Sequence, residues 1–336
     1  MVLNVGVIGT GNIGSDHVRR LATQVSGARV AALFDVDGER AGAVADRVGA
    51  RVHSQAADVI EDIQVDAVVI ASPGDTHADL VLACVAADKP VLCEKPLATT
   101  VESALKVLEA EVAHGRRLTR VGFMRRHDPG YRAVKVAVDD GSVGEPLLMH
   151  CVHRNASVPA GFTSDMSLTD SVIHEIDAAR WLLGDEIVAA TVVAVRPSPL
   201  ATNGMRDPQL VLLETAGGAV VDVEVFLHCQ YGYDVRCEVV GANGTVSLDT
   251  PTTGALTRSG RREQAVPEDW RVRFAPAYLD ELQQWVDGVA SGNGGGGGSS
   301  AWDGYAATAV AQACVASLSS GARTAVGLVD RPTLYA

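Results

Sequence analysis

Three groups of residues in this chain have the types and spacing to do chemistry together. Gly9-Thr10-Gly11-Asn12-Ile13-Gly14 sets glycines at G-x-G-x-x-G spacing. The first glycine permits a tight turn, the second lets a pyrophosphate approach the backbone, and the third lets a helix pack on the preceding strand. Lys95 stands in Cys93-Glu94-Lys95-Pro96-Leu97, directly after a short apolar run, where an ammonium can steady a developing alkoxide. Asp170 and His174 are four residues apart, so on a helix they share a face, one turn apart. Oxidising a secondary alcohol needs a hydride to leave carbon and a proton to leave oxygen. An imidazole, with an unperturbed pKa of about 6.5, suits the proton step. A carboxylate one turn away can orient the ring or the substrate. Alone, such a spacing is more often a helix cap and an ordinary helical histidine. Joined to a dinucleotide loop and a well-placed lysine, it points to alcohol dehydrogenation. His174 is then the base, Asp170 orients, and Lys95 polarises the hydroxyl.

These side chains need a scaffold, and the hydropathy pattern predicts one. Val2 to Ile8, Arg29 to Phe34, Ala67 to Ala71 and Pro90 to Cys93 read as strands. Gly14 to Thr23, Glu39 to Val48, His77 to Ala87 and Val101 to His114 read as helices. Strict alternation predicts an α/β N-terminal Rossmann domain over residues 1–120, a parallel sheet with helices on both faces. The pattern then changes. After a helix at Ala133 to Asp139 come strand-like runs at Leu147 to Val152, Val188 to Val195, Leu210 to Thr215, Ala219 to Phe226, Val235 to Val240 and Thr245 to Leu248. Gly217-Gly218 and Asn243-Gly244 read as hairpin turns. One helix, Ser171 to Leu183, interrupts the strands, and two more, Tyr278 to Val289 and Trp302 to Leu318, close the chain. Residues 121–336 are therefore expected to form an α+β C-terminal domain with a large, mostly antiparallel sheet, for substrate binding and oligomerisation.

Asp35 ends the second strand, where a carboxylate can accept hydrogen bonds from the adenine ribose and repel a 2′-phosphate. Asp37 adds to that charge, so the expected cofactor is NAD rather than NADP. Asn12 and Ile13 lie inside the glycine loop. Ser72 and Pro73 follow the third strand, Thr76 and His77 open the next helix, and Glu94 and Lys95 follow the fourth strand. All are expected to line the cofactor groove, because ligands bind at the C-terminal ends of such strands. Thr76 can equally serve as a helix N-cap.

Glu94-Lys95-Pro96 after a Rossmann half resembles the hallmark of the oxidoreductases grouped as glucose–fructose oxidoreductase, inositol dehydrogenase and rhizopine-catabolism proteins (Gfo/Idh/MocA). The resemblance spans essentially the whole chain. It leans to the inositol dehydrogenases of that family in Gly122 to Tyr131, Asp170 to Asp177, Gly232 to Gly241 and Ala301 to Tyr305. It implies the same catalytic trio of Lys95, Asp170 and His174. It also implies substrate contacts from Arg125, His153, Asn155, Tyr233 and Tyr278, with Met124 beside Arg125 and Tyr231 as a further candidate. Many polar groups are needed, because a ring hydroxyl buried without a partner costs about 1–3 kcal/mol. The implied reaction is oxidation of a cyclitol hydroxyl, myo-inositol to its 2-keto product. Another inositol isomer, an aldose, or a sugar modification that retains NAD are the alternatives, and a non-enzymatic dinucleotide sensor is disfavoured by the proton-transfer set. The resemblance further implies a homotetramer.

Composition narrows the classes. A net charge of −13 argues against a nucleic-acid partner, which requires a clustered positive field. No apolar run approaches a membrane span, and the opening MVLNVGVIGTG enters a strand with no signal-peptide pattern, so a cytoplasmic location is expected. Six cysteines without a C-x-x-C pair fit free thiols in a reducing compartment and offer no metal site. The polar stretch Ala156 to Thr169 is expected to be a mobile flap, and the glycine tract within Ser291 to Ser300 a flexible loop.

Overall fold

The computed structural model describes residues 2–248, 255–292 and 297–336. The central part of the glycine tract, 293–296, lies outside the described residues. The chain divides into two compact units, Met1–His127 with Pro276–Thr308 and Leu328–Ala336, and Asp128–Ala275 with Ala309–Gly327.

The first unit alternates β1 (Leu3–Ile8), α1 (Asn12–Thr23), β2 (Ala28–Phe34), α2 (Gly38–Val48), β3 (Arg51–Val52), α3 (Ala56–Glu61), β4 (Ala67–Ile70), α4 (His77–Ala86), β5 (Val91–Glu94), α5 (Val101–His114) and β6 (Thr119–Gly122). The strands form one parallel sheet in the order β3-β2-β1-β4-β5-β6. This is the Rossmann order, and its direction reverses between β1 and β4, where a dinucleotide binds. Both faces of the central strands are buried: Val5, Val7 and Val69 pack with Leu21, Leu33 and Val44 on one, and Ile8, Val68 and Ile70 are buried on the other.

The second unit opens with α6 (Pro129–Asp139), capped by Asp128, whose carboxylate accepts from the backbone N–H groups of Gly130 and Tyr131. β7 (Pro146–Arg154) and the short α7 (Ser164–Met166) follow, and a π-helical turn over Ser167–Val172 leads into α8 (Ile173–Leu183). β8 (Ile187–Ala194), β9 (Gln209–Thr215), β10 (Val220–Phe226), β11 (Asp234–Gly241) and β12 (Gly244–Ser247) complete most of a seven-stranded sheet. β13 (Ala255–Arg258) and β14 (Arg261–Gln264) form a separate exposed hairpin, followed by α9 (Trp270–Arg273). Later in the chain come α10 (Ala275–Ala290), nearly all of it in the first unit, α11 (Ala301–Ser320), divided between the units after Thr308, and β15 (Thr324–Ala325) of the second. The sheet order is β12-β11-β7-β10-β9-β8-β15, antiparallel except where β10 runs parallel to β7. Along β9 and β10 every second residue is buried, the signature of a sheet packed on one side. On the other side Leu148, Val188 and Val193 remain exposed.

A single cut at 120 does not describe the units. Leu282, Trp285 and Val286 of α10 are buried in the same core as β1 and α1, so most of this late helix belongs with the first unit. The expected flap is also anchored in part. Thr163 caps α7, the Ser164 hydroxyl accepts from the backbone N–H of Arg206, and the Ser164 carbonyl accepts from the Gln209 amide.

Candidate active site

In the first unit the glycine loop is built as its spacing requires. Gly9 has φ +94°, and a Cβ there would stand 2.5 Å from the Ala71 and Ser72 backbone. A Cβ on Gly14 would stand 2.0 Å from the Gly9 carbonyl oxygen. A Cβ on Gly11 would meet no atom of the described residues within 4 Å, which leaves a cradle open to a ligand. Gly11 is also the N-cap of α1 and supplies no capping side chain. The first-turn N–H groups around Asn12 and Ile13 can therefore serve an anion.

Asp35 follows β2 by one residue. One of its oxygens accepts from Thr10 N (2.6 Å) and Thr10 Oγ1 (2.9 Å). The other accepts from Asp37 N (2.9 Å) and Arg40 Nη2 (2.6 Å). Burial alone would raise its pKa, but the Arg40 guanidinium and these N–H groups overcome it and hold the carboxyl down at about 2. Asp35 is thus held ionised just beyond β2, paired with Arg40. These residues fit NAD.

The next two strand ends are tied together. Thr76 does not cap α4; its hydroxyl donates to the Pro73 carbonyl (2.7 Å) and lies 2.7 Å from Ser72 Oγ. His77 is buried with Nδ1 2.7 Å from the Pro96 carbonyl oxygen and Nε2 2.8 Å from that of Ser72. Neither ring nitrogen is left for a cofactor, so His77 shapes the groove by bracing its two turns. Glu94 is likewise buried. Oε1 lies 2.7 Å from His17 Nε2, and Oε2 accepts from Lys95 N (3.3 Å). Lys95 is half-buried directly after β5. Met124 and Arg125 are buried in a 3₁₀ turn after β6. The Tyr278 ring packs edge-on to His17 (centroids 5.9 Å apart) and beneath Arg20 (5.8 Å). Asp303, from the resembling Ala301-to-Tyr305 run, pairs with Arg126 at 3.0 Å, and a Cβ on Gly304 would meet Leu97 at 2.7 Å. That motif therefore has a packing role.

In the second unit Asp170 stands, half-buried, on the π-helical turn, and His174 is buried in the first turn of α8. The sequence predicted a plain helix here. π turns are rare and concentrate at functional sites. His153 faces inward from β7, 3% exposed, with Nδ1 3.0 Å from both oxygens of Glu175. Tyr233 packs edge-on against it, centroids 5.8 Å apart. Arg154, one residue on, faces the opposite side and pairs with Glu224 (2.7 Å), as a strand's period of two requires. Tyr231 belongs to that outer network. It accepts from Arg154 Nη1 (2.9 Å), donates to Asp234 Oδ2 (2.6 Å) and is 47% exposed. Asn155 is half-buried, and its Oδ1 is buried without a hydrogen-bond partner among the described residues. An orphaned acceptor beside His153 suits the hydroxyl of a ligand.

The sequence profile described as oxidoreductase family, NAD-binding Rossmann fold, matches residues 3–123, and that of the same family's C-terminal alpha/beta domain matches residues 135–327. The chain belongs to this family. It is an oxidoreductase that uses NAD. Inositol 2-dehydrogenase 3 of Saccharopolyspora erythraea is 53% identical over 335 residues, covering 100% of this chain and 98% of that one. Inositol 2-dehydrogenase of Burkholderia ambifaria is 47% identical over 337 residues, covering 100% and 99%. The crystal structure of myo-inositol dehydrogenase from Lactobacillus casei, in complex with NAD(H) and myo-inositol, superimposes with a TM-score of 0.97 at 38% identity, covering 100% of both chains.

Sequence reasoning missed four supporting residues of this family member: Thr10 and Arg40, which hold Asp35, His17, which holds Glu94, and Glu175, which holds His153. Arg40 alone carried a local signal, five residues after Asp35 on the first turns of α2. The others depend on partners that only the fold brings close.

Proposed function

We propose that this chain oxidises a secondary hydroxyl of a cyclitol with NAD, taking myo-inositol to 2-keto-myo-inositol (scyllo-inosose). The observation that carries the proposal is the full-length likeness to a protein whose solved structure holds NAD(H) and myo-inositol. The presence of Lys95, Asp170 and His174 supports it.

When bound, NAD supplies the ring carbon that accepts the hydride. Gly9, Gly11, Asn12, Ile13 and Gly14 seat its pyrophosphate, Asp35 binds the adenine ribose, and the braced turns at Ser72, Pro73 and Glu94 form the groove wall. His174 takes the proton from the hydroxyl oxygen as the adjacent carbon gives up its hydride. The Lys95 ammonium donates a hydrogen bond to that oxygen and stabilises its developing charge. Asp170 orients the substrate or the His174 ring. His153, fixed by Glu175, and Asn155, with its unpaired acceptor, hold further ring hydroxyls with Tyr233. Met124, Arg125 and the Tyr278 hydroxyl complete the substrate set.

Two further statements belong to this reading. The exposed apolar residues on the open side of the second sheet support self-association through that face, and the family resemblance makes the expected assembly a homotetramer. Six free cysteines, five of them buried, fit a cytoplasmic protein.

The test is to mix the protein with NAD and a panel of cyclitols and aldoses and follow NADH absorbance. Fastest NADH formation with myo-inositol is the expected result. Fastest NADH formation with another isomer or an aldose reassigns the substrate. Conversion without net NADH indicates an NAD-retaining reaction, and NAD binding with no conversion contradicts the proposal.

A further inference from the structure

We propose that His17 is a positioning residue for the oxidation step: through Glu94 it ties the cofactor helix α1 to the turn that carries Lys95. The proposal rests on the reading above only for the kind of reaction, alcohol oxidation by NAD with Lys95 at the hydroxyl.

His17 lies three residues beyond Gly14, on the face of α1 that also buries Val18 and Leu21, and is 0% exposed. Its Nε2 is 2.7 Å from Glu94 Oε1, while Nδ1 is buried with no hydrogen-bond partner among the described residues. This pattern assigns the ring proton to Nε2, where the carboxylate receives it; a proton on Nδ1 would be buried with nothing to accept it. The second Glu94 oxygen accepts from the backbone N–H of Lys95. Space for the carboxylate is made by Gly122, the β6 partner of Glu94, where a Cβ would stand 3.0 Å from Oε2. Tyr278 packs against the ring edge-on and fixes its plane.

A buried His–Glu pair that contributed only stability could lie anywhere in the fold. This one joins two places that must be in register for the reaction. α1 offers its first turn to the pyrophosphate, and residue 95 acts on the hydroxyl. Without the imidazole donor, Glu94 is a buried carboxylate with an unmet acceptor, and its other oxygen no longer holds the Lys95 N–H in place. Displacing a group that acts in the transition state by about 1 Å can cost about 100-fold in rate.

The test compares His17→Gln, His17→Asn and His17→Leu in the full chain. It measures kcat, alcohol KM, the NAD dissociation constant and the thermal midpoint. A glutamine amide nitrogen reaches about as far as Nε2, whereas an asparagine reaches only about as far as Nδ1. Leu and Asn should lower kcat about 10- to 100-fold, as loss of a supporting partner does, with NAD affinity and KM within about threefold of wild type. Gln should restore kcat to within about threefold. On a Lys95→Met background, adding His17→Leu should lower the residual rate by less than about twofold, because the two act as one unit. Rate losses that track the thermal midpoint rather than side-chain reach would overturn the proposal, as would an undiminished Leu penalty on the Lys95→Met background. If the chain oxidises an alcohol other than a cyclitol, the substrate reading fails and the His17 comparison is made on that alcohol. A chain that oxidises no alcohol overturns both.

Discussion

Glu175 places both carboxylate oxygens 3.0 Å from Nδ1 of His153, and the two side chains are 1% and 4% exposed. Glu175 directly follows His174, so one turn of α8 carries the proposed base on one residue and the anchor of a substrate-binding ring on the next. Glu175→Ala should cost about 1–3 kcal/mol in urea unfolding, since it strands a buried imidazole N–H. It should also raise the cyclitol KM by at least about tenfold, with NAD affinity unchanged. Glu175→Gln keeps the shape and one acceptor and should recover most of the stability. An unchanged KM in Glu175→Ala would remove His153 from the substrate set.

Asp35 gives a prediction with a definite pH window. Its folded-state pKa is depressed to about 2, so its stabilisation is fully present above about pH 4 and fades as pH falls through 2. Asp35→Asn should therefore be less stable than wild type by about 2 kcal/mol at pH 7, and the gap should close between about pH 4 and pH 2. Urea titrations of both proteins at several pH values measure this. Asp35 stays ionised between about pH 5 and 9, so any drift of the NAD-over-NADP preference in that range should follow the second ionisation of the 2′-phosphate, at about pH 6, and level off above about pH 7. Asp35→Ser should relax that preference, leaving Arg40 to meet the 2′-phosphate.

Gly11 and Gly14 should fail in different ways. A Cβ on Gly11 meets no atom of the described residues within 4 Å, so Gly11→Ala should fold with the thermal midpoint of wild type and lose at least about tenfold in NAD affinity. A Cβ on Gly14 would press on the Gly9 carbonyl, so Gly14→Ala should lower the thermal midpoint even without NAD. Calorimetry and NAD titration of the two variants separate a blocked cradle from a broken loop.

The parallel half of the fold was legible because its strands and helices carry strong periods: Leu3–Ile8, Val101–His114 and the glycine loop lie where the pattern puts them. The antiparallel half was legible from alternation in Gln209–Thr215 and Val220–Phe226. β13 and β14 escaped because every residue in them is exposed, so neither has a buried face to alternate against. The π turn under Asp170 could not be read, since a helical pattern does not distinguish an inserted residue from a normal turn. α10 was found as a helix, but its place beside α1 is a tertiary fact that Leu282 and Trp285 do not announce. The candidate residues were legible as types in motifs; their supports were not. His17 and Glu94 are 77 positions apart, and a lone histidine on an apolar helix face reads as core.

The most direct test of the account compares initial rates of NADH formation from NAD and myo-inositol in wild type, Lys95→Ala, His174→Ala and the double variant. Each single change should lower kcat by about 100- to 10,000-fold, and His174→Ala should leave NAD affinity unchanged. The double variant should be little slower than the slower single, because both groups serve one proton-transfer event. NADH formation at the wild-type rate in either single variant would contradict the account.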